Sequence, residues 1–351
     1  MAQYPPQAAR ADTLDIAVYH TSLSRDGPGL LLRDILRGKD AQVHAVTEII
    51  AHAAPDILLL LDIDFDHDRL ALKALRDRVS EAGQHYPHVF ALRPNSGMAT
   101  GLDLDRDGRR GGPRDAQGYG HFSGQGGMAI LSRHPIKSDA VQDHSALLWR
   151  DLPGAMLSLS DGTVLLTPEV LALQRLSQRG HWAVPVSVDG LDIWLLAFHA
   201  TPPVFDPFAD HNARRNHDEA AFWTAYLDGK IAPPPKKRFV ILGGSNMDPE
   251  DSAGRPEAMR ALLSDPRLQD PKPRGGGWQE PTTGHRGDPA LDTARWPPPG
   301  PGNLRAEYIL PSADLTVLGA RVIWPDKDDP LAATAERASR HLLVSVTLAW
   351  P

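Results

Sequence analysis

Residues 55–66 read PDILLLLDIDFD, and this stretch decides the fold. An uninterrupted apolar run is followed by three aspartates at alternate positions, Asp62, Asp64 and Asp66. Because no polar residue interrupts the run, it indicates a central β-strand that is buried on both faces. If the strand continues past the run, the three carboxylates share one face. The sequence therefore predicts a central strand that delivers acidic side chains to the edge of a sheet.

Two other apolar runs also end in polar residues. The predicted strand 191–199, LDIWLLAFH, ends in His199, and the predicted strand 239–242, FVIL, leads into Asn246. Carboxylates, an amide and an imidazole are the groups that a hard divalent cation and a general acid or base require. Strand ends are also polar simply because they reach the surface, so the pattern alone leaves both interpretations open.

The remaining elements favour a layered fold. Further strands are predicted at 15–19, 127–133, 308–310 and 342–348, and helices at 41–54, 68–82 and 210–227. A glycine-rich insertion spans 94–127, and a proline- and glycine-rich surface loop spans 271–302. Because strands outnumber helices, we expect two packed sheets flanked by helices, an α/β sandwich rather than a doubly wound sheet. We expect a single domain over 12–351.

Composition narrows the function. The chain has 351 residues, a formal net charge of −7 and no cysteine, which excludes disulfides, thiolate zinc sites and cysteine nucleophiles. No apolar run is long enough for a membrane span. Proteins that bind bulk nucleic acid usually present a basic face, so the charge disfavours nucleic acid and favours a small phosphoester or another small substrate. No protein partner is inferred.

The amino-terminal residues 1–11, MAQYPPQAARA, lack the apolar segment of a signal peptide. Ala9-Arg10-Ala11 nevertheless has the small-x-small form of a cleavage site. This segment is either a soluble leader or the remnant of a signal. The protein is expected to be periplasmic or secreted in the second case, and cytoplasmic otherwise.

Seven segments occur in an order that resembles the endonuclease/exonuclease/phosphatase superfamily, whose members include deoxyribonuclease, abasic-site nucleases, sphingomyelinases and inositol phosphatases. They are IAVYH (16–20), PDILLLLDIDFD (55–66), GGMAILSRHPI (126–136), LLAFHATPP (195–203), VILGGSNMDP (240–249), LRAEYILPS (304–312) and ASRHLL (338–343). The segments GPGLLLRDIL (27–36), DAQGYG (115–120) and RRNHDE (214–219) look like a bacterial branch without an assigned substrate. The resemblance implies a four-layer, deoxyribonuclease-like sandwich with a phosphoester site at one edge. It also implies dependence on Mg²⁺ or Mn²⁺.

The resemblance assigns roles to individual residues. His199 matches the phosphate-contacting histidine of the family, Asn246 matches the asparagine of its G-D-x-N motif, and His341 matches the histidine that acts on the nucleophilic water. The divalent cation is expected at Asp62 or Asp64, together with Glu307. In such chemistry the metal neutralises the phosphate charge while the protein positions the water and the leaving group.

Several positions depart from the family pattern. His20 stands in place of the first-strand asparagine and is expected to contact substrate, while Asp62 and Glu307 keep the charge at positions where the family has glutamate and aspartate. Gly244 replaces the aspartate that orients or activates the nucleophile, and Arg340 replaces the aspartate before the last histidine.

The two lost carboxylates leave more than one function open. A metal-dependent phosphoesterase acting on a small phosphodiester or phosphomonoester is the leading interpretation, with Gly244 impairing it. A phosphoester-binding protein without turnover, or a nuclease, is the alternative. Asp248, two residues after Asn246, is a candidate substitute for the missing aspartate.

The glycine-rich insertion carries a second metal signal. Asp103, Asp105 and Asp107 alternate ahead of Gly108, which is the opening half of a calcium loop. Arg114 stands at the twelfth position, where a bidentate glutamate is usual. We expect a structural Ca²⁺ here, with a solvated acidic turn as the alternative.

Three further residues are candidate substrate contacts. Arg214 and Arg215 open the helix after LLAFHATPP, where an arginine pair would bind a phosphate oxygen or form an exposed basic face. Tyr119 lies in the loop before GGMAIL, a region that covers substrate in similar folds.

Overall fold

The computed structural model describes residues 12–159, 161–206, 208 and 210–351; the predicted leader, residues 1–11 with Ala9-Arg10-Ala11, lies outside them. Within this described part the chain forms thirteen β-strands and seven α-helices. The strands are β1 (Thr13–His20), β2 (Ile57–Ile63), β3 (His88–Phe90), β4 (Gly127–Ser132), β5 (Gln142–Asp143), β6 (His181–Val188), β7 (Leu191–His199), β8 (Phe239–Gly244), β9 (Ala294–Trp296), β10 (Gly302–Leu304), β11 (Glu307–Pro311), β12 (Val317–Val322) and β13 (Val344–Ala349). The helices are α1 (Leu30–Arg37), α2 (Ala41–Ala53), α3 (Leu70–Glu81), α4 (Pro168–Leu171), α5 (His211–Leu227), α6 (Glu257–Leu263) and α7 (Ala332–Ala338).

The stretch 55–66 supplies the centre of the first sheet, as predicted. In the described residues this sheet has six strands in the order β12-β13-β1-β2-β4-β3, so β2 pairs with β1 in parallel and with β4 antiparallel. Its leucines 58–61 are fully buried. Helices α1, α2, α3 and α7 cover the outer face, and α2 begins where the Asp40 carboxylate accepts the Val43 N–H at 2.9 Å.

The second sheet completes the sandwich. Over the described residues it has five strands in the order β11-β8-β7-β6-β5, with β7 and β8 parallel. Along β7, Leu195 and Ala197 pack against the first sheet, whereas Leu196 and Phe198 pack on the other face with α5 and α6. This two-residue alternation divides the apolar residues into two cores, one between the sheets and one outside. The expected four-layer α/β sandwich is confirmed.

The aspartates after β2 do not continue its alternation. The pairing of β2 with β4 shifts register between Leu61 and Ile63, and Asp62 has φ 57°, in the left-handed region. The strand ends at Ile63. The condition under which Asp62, Asp64 and Asp66 would share one face, a strand that continues past the apolar run, is therefore not met, because the backbone turns at Asp62 and the strand ends at Ile63.

The predicted surface loop 271–302 is also only partly correct. Strands β9 and β10 form a hairpin in this region, and Ala294 makes a β-bridge with His341. Thr293, immediately before β9, is fully buried. The segment therefore reaches the interior and brings side chains to the edge of the sandwich.

The two sheets end together at that edge. The parallel pairs β1–β2 and β7–β8 finish there, while β11 begins there because it runs antiparallel to β8. Side chains at the strand ends of both sheets consequently meet in one place. Among the described helices, none is long and apolar enough to cross a membrane.

Candidate functional site

A buried histidine–carboxylate pair lies at this edge. His341 Nδ1 donates to Glu307 Oε1 at 2.6 Å, and Thr293 Oγ1 donates to Glu307 Oε2 at 2.5 Å. Burial acts to raise the pKa of Glu307, but His341 outweighs it, so that pKa is lowered. The carboxylate can only accept hydrogen bonds when ionised, so Nδ1 carries the proton and Nε2 is left as the basic nitrogen. The pair holds His341 in the tautomer that a general base needs.

Two more imidazoles surround this pair. His20 at the end of β1 stacks on His341 with ring centroids 3.9 Å apart, and His199 at the end of β7 meets His20 edge-on at 5.1 Å. The Trp296 ring meets His341 edge-on from β9, at 5.1 Å. Burial, followed by the charge of His341, lowers the pKa of His20 to about 4, and burial lowers that of His199 well below its usual value. Both rings are therefore neutral at pH 7.

Gly244 lies between these groups. It is the register partner of His199 on β7 and of Glu307 on β11. A Cβ placed on Gly244 would lie 3.0 Å from His199 Cδ2 and 3.1 Å from Leu61 Cδ1. The missing carboxylate would therefore stand directly beside His199, in a space that is tight for any side chain.

Asp248 does not replace it in this geometry. Its Oδ1 accepts the Glu250 N–H at 2.9 Å and its Oδ2 accepts the Arg305 N–H at 2.9 Å. Both oxygens therefore fix the loop after β8.

Asn246 lies just beyond β8 and is half-buried. Its backbone adopts φ 52°, and its Nδ2 donates to the Ala200 carbonyl at 2.8 Å. This bond ties the loop after β8 to the end of β7. It also fixes the amide orientation, so that Oδ1 is left as an acceptor and the second Nδ2 N–H is left as a donor for a ligand.

Arg179, which the sequence analysis did not single out, also lies at the site. It lies two residues before His181, the first residue of β6, and its Nη1 donates to the carbonyls of Tyr119 at 3.2 Å and Gln125 at 3.3 Å. Its Nη2 lies 4.0 Å from Asp62 Oδ1. The signal that would have found it is the strand HWAVPVSV, which places the preceding arginine level with the end of β7.

The two candidate metal-binding aspartates differ in their surroundings. Asp64 Oδ1 accepts the Gly126 N–H and Oδ2 the Arg25 N–H, both at 3.0 Å, so this carboxylate braces two loops. Burial raises the pKa of Asp64 to about 6. Asp62 is less buried and faces Arg179.

This donor set fits a hard cation such as Mg²⁺ poorly, because among its described residues it leaves only the Asp62 carboxylate and Asn246 Oδ1 as side-chain oxygens without a hydrogen bond. Glu307 and Asp64 have both oxygens occupied by hydrogen bonds, and Gly244 offers no ligand. Asp62 offers a carboxylate, but a guanidinium lies beside it. The structure therefore brings the predicted residues His20, His199, Asn246, Glu307 and His341 together without an open carboxylate cluster.

The acidic insertion is a separate feature. In the described residues, the one group of three acidic or histidine side chains whose ligand atoms lie within 4.8 Å of one another is Asp103, Asp105 and Asp115. Asp107, which was predicted with them, has its Oδ1 accepting the Arg109 N–H at 2.7 Å. Asp115 in turn accepts backbone N–H groups at both oxygens. The Ca²⁺ site stays a prediction, with Asp115 the additional candidate ligand.

The remaining candidate contacts have structural partners. Arg214 Nη1 donates to the carbonyls of Met156 and Ser158, and Arg215 donates to those of Gln117, Arg175 and Leu176. Both arginines are buried, so they are not an exposed basic face. Tyr119 is 49% exposed, and its carbonyl rests on Arg179, which places it at the rim of the site.

The sequence matches the model of the Endonuclease/Exonuclease/phosphatase family over residues 33–341. No curated protein matches the chain. The matched range includes Asp62, His199, Asn246, Glu307 and His341, and it leaves out His20.

Solved structures agree with the fold. An endonuclease/exonuclease/phosphatase from Beutenbergia cavernae superposes with a TM-score of 0.57 at 17% identity, covering 97% of this chain and 72% of that one. Sphingomyelinase C from Streptomyces griseocarneus gives 0.53 at 17%, covering 95% and 99%. A Staphylococcus aureus beta toxin variant with bound magnesium ions gives 0.52 at 15%, covering 96% and 99%. At these identities the similarity shows the fold alone.

Proposed function

The chain belongs to the endonuclease/exonuclease/phosphatase family, and from this premise we propose that it hydrolyses a small phosphodiester or phosphomonoester. The family includes metal-dependent phosphoesterases and nucleases. The net charge of −7 favours a small ester over a polymeric nucleic acid.

The observation that carries the proposal is the pair of Glu307 and His341. A buried carboxylate that accepts the Nδ1 proton at 2.6 Å orients the imidazole and stabilises its protonated form. Nε2 of His341 then takes a proton from the attacking water. The full burial of Glu307 and the hydrogen bond from Thr293 to its second oxygen support this orienting role.

The other residues bind the ester. His199, a neutral imidazole beside Gly244, donates a hydrogen bond to a phosphate oxygen. Asn246 donates to the same phosphate group through an amide N–H. His20 stacks on His341 and limits its rotation. Side chains of the protein fill each of these roles in binding the ester.

Hydrolysis of bis-p-nitrophenyl phosphate and p-nitrophenyl phosphate tests the proposal. We expect turnover by the natural chain, and a loss of about 10²–10⁴-fold in kcat for His341→Ala, which removes the base. Glu307→Gln should lower kcat, because a neutral amide holds the Nδ1 proton of His341 less firmly than the carboxylate does. His52→Ala, an exposed histidine on α2, is the matched control and should behave as the natural chain.

Turnover that survives His341→Ala would show that another group or a contaminant is responsible. Absence of turnover with both esters would contradict hydrolysis of this class of substrate.

A phosphoester-binding protein without turnover is the second candidate. It is favoured by one observation, Gly244, which removes the central carboxylate next to His199. Binding of inorganic phosphate without hydrolysis of either ester would identify this function.

A further inference from the structure

Arg179 has unused hydrogen-bonding capacity at the site. A guanidinium carries five N–H donors. Within the described residues those on Nη1 are taken by the carbonyls of Tyr119 and Gln125, whereas Nε is buried without a partner. Nη2 lies 4.0 Å from Asp62 Oδ1, which is too far for a hydrogen bond. Nε and Nη2 are adjacent donors on one edge of the guanidinium, the arrangement that binds two oxygens of a phosphate.

The backbone around Arg179 is built for this close approach. A Cβ on Gly126 would lie 2.4 Å from Asp62 Oδ1 and 3.3 Å from Arg179 Nη2, and Gly126 has φ 57°. Only glycine fits this position, because it has no Cβ to overlap Asp62 Oδ1 and it readily adopts a positive φ. The absence of a side chain at Gly126 therefore leaves the room in which Asp62 and Arg179 lie beside each other.

Strand register places Arg179 beside the end of β7. It lies two residues before His181, whose register partner Phe198 directly precedes His199. In agreement with this, the charge of Arg179 is among the causes that lower the pKa values of His20 and His199, after burial. A phosphate bound between these two side chains has Arg179 as its cation and His199 as a neutral donor.

We propose that this site binds the phosphate group of its ester through Arg179 and His199 in place of a divalent cation, so that phosphate binding does not require metal. The inference rests on the proposed function and specifies how its substrate is bound. The reason is that the donor set fits a hard cation poorly. Asp62 is the one carboxylate of the described site that is open, and it already faces the guanidinium of Arg179. The positive charge of Arg179 would repel a divalent ion at Asp62. Arg179 supplies the charge that the cation would otherwise bring.

Calorimetric titration with inorganic phosphate tests this, using the full chain first in EDTA and then with added Mg²⁺ or Mn²⁺. We expect Kd values that agree within about threefold in the three conditions, and at least about tenfold weaker binding for Arg179→Gln. Arg175→Gln is the matched control, since Arg175 lies in the same segment and donates to Asn95. It should stay within about twofold of the natural chain.

The Asp62→Asn variant gives a second test, because the two modes of phosphate binding predict opposite changes in its affinity for phosphate. If Arg179 binds phosphate, removing the competing carboxylate tightens phosphate binding, by about threefold or more. If a cation binds phosphate, the same variant loses a ligand and binding weakens. This variant keeps the test decisive even if Arg179→Gln does not fold.

Phosphate binding that appears only with added metal, that is unchanged in Arg179→Gln, or that is absent in every condition would overturn the inference. The inference and the proposed function fail separately. Ester hydrolysis combined with phosphate binding that appears only with Mg²⁺ supports the proposed function and overturns metal-free binding. Phosphate binding in EDTA without hydrolysis of either ester supports metal-free binding and overturns the proposed function.

Discussion

At the scale of single residues, Gly244 has the largest consequence for the proposed chemistry. It is the register partner of His199 on β7 and of Glu307 on β11. The family resemblance predicts an aspartate at this position, where the sequence has glycine. The structure adds that the space is narrow, with His199 and Leu61 about as close as a Cβ tolerates.

Gly244→Asp should raise kcat for bis-p-nitrophenyl phosphate by about 10²-fold, because it returns an acid or base beside His199. Gly244→Ala is the control, since it adds the same Cβ without the carboxylate. We expect no gain in kcat for it, and a loss of about 1 kcal/mol in the free energy of unfolding as His199 and Leu61 shift. Equal rates for the two variants would show that the aspartate is not the limiting group.

Asp292 gives a pH-dependent prediction. Burial raises its pKa to about 7, with the charges of Asp248, Asp251 and Asp288 adding to the effect. The folded state therefore holds this proton more tightly than the unfolded state does. Stability is highest below the unfolded pKa of 3.8 and falls as the pH rises towards 7.

Replacing Asp292 with asparagine removes this penalty. Relative to the natural chain, Asp292→Asn should gain on the order of 1 kcal/mol in the free energy of unfolding at pH 8 and nothing at pH 4. Urea unfolding at the two pH values measures it. The exposed Asp328→Asn is the control, and a gain that is equal at both pH values would contradict the assignment to ionisation.

At the scale of elements, the glycines at the end of β8 determine how closely this strand approaches β7. Gly243 has φ 153°, and a Cβ there would lie 1.9 Å from the Phe198 carbonyl on β7. The preceding strand residues Val240–Leu242 are buried and regular. The pair of glycines therefore lets the end of β8 approach β7 closely enough to place Asn246 over Ala200.

Gly243→Ala should destabilise the protein by about 2–4 kcal/mol, because the methyl group overlaps a backbone oxygen that is held in the sheet. Gly319→Ala on β12 is the matched control, since a Cβ there meets nothing within 4 Å. Thermal and urea unfolding compare the two variants. A similar loss in both would mean that strand glycines in general, and not the contact with Phe198, determine the effect.

At the scale of the whole molecule, net charge separates the two kinds of substrate. A protein that neutralises several phosphates of a nucleic acid loses orders of magnitude in affinity between about 50 and about 200 mM salt, because counterions are released on binding. A single phosphoester held by Arg179 and His199 has no such dependence. We expect KM for bis-p-nitrophenyl phosphate to change less than about threefold over this range.

Affinity for a short DNA duplex, measured by fluorescence anisotropy over the same salt range, is the comparison. With a net charge of −7 we expect weak binding at every concentration. Tight binding that falls steeply with salt would support the nuclease alternative.

Much of the fold could be predicted because apolar runs in the local sequence specify its main strands. The apolar run before Asp62 predicted the central strand, and the predicted strand 191–199 coincides with β7. Strand β6 alternates apolar residues at 182, 184, 186 and 188 but is interrupted by Pro185, and the hairpin β9–β10 lies in a proline-rich segment. Their absence from the prediction is why Arg179, Thr293 and Trp296 were not assigned to the site.

The sequence by itself determined the family and the sandwich, because these depend on the order of motifs and on strand periodicity. It also singled out His199 and His341 as candidate site residues. Only the tertiary structure decided their partners. Glu307, which was expected to bind the metal, is hydrogen-bonded to His341. Asp62 lies beside Arg179, which comes 117 positions later in the sequence. Such contacts depend on register between strands and on turns such as the one at Asp62, and neither is written in the local sequence.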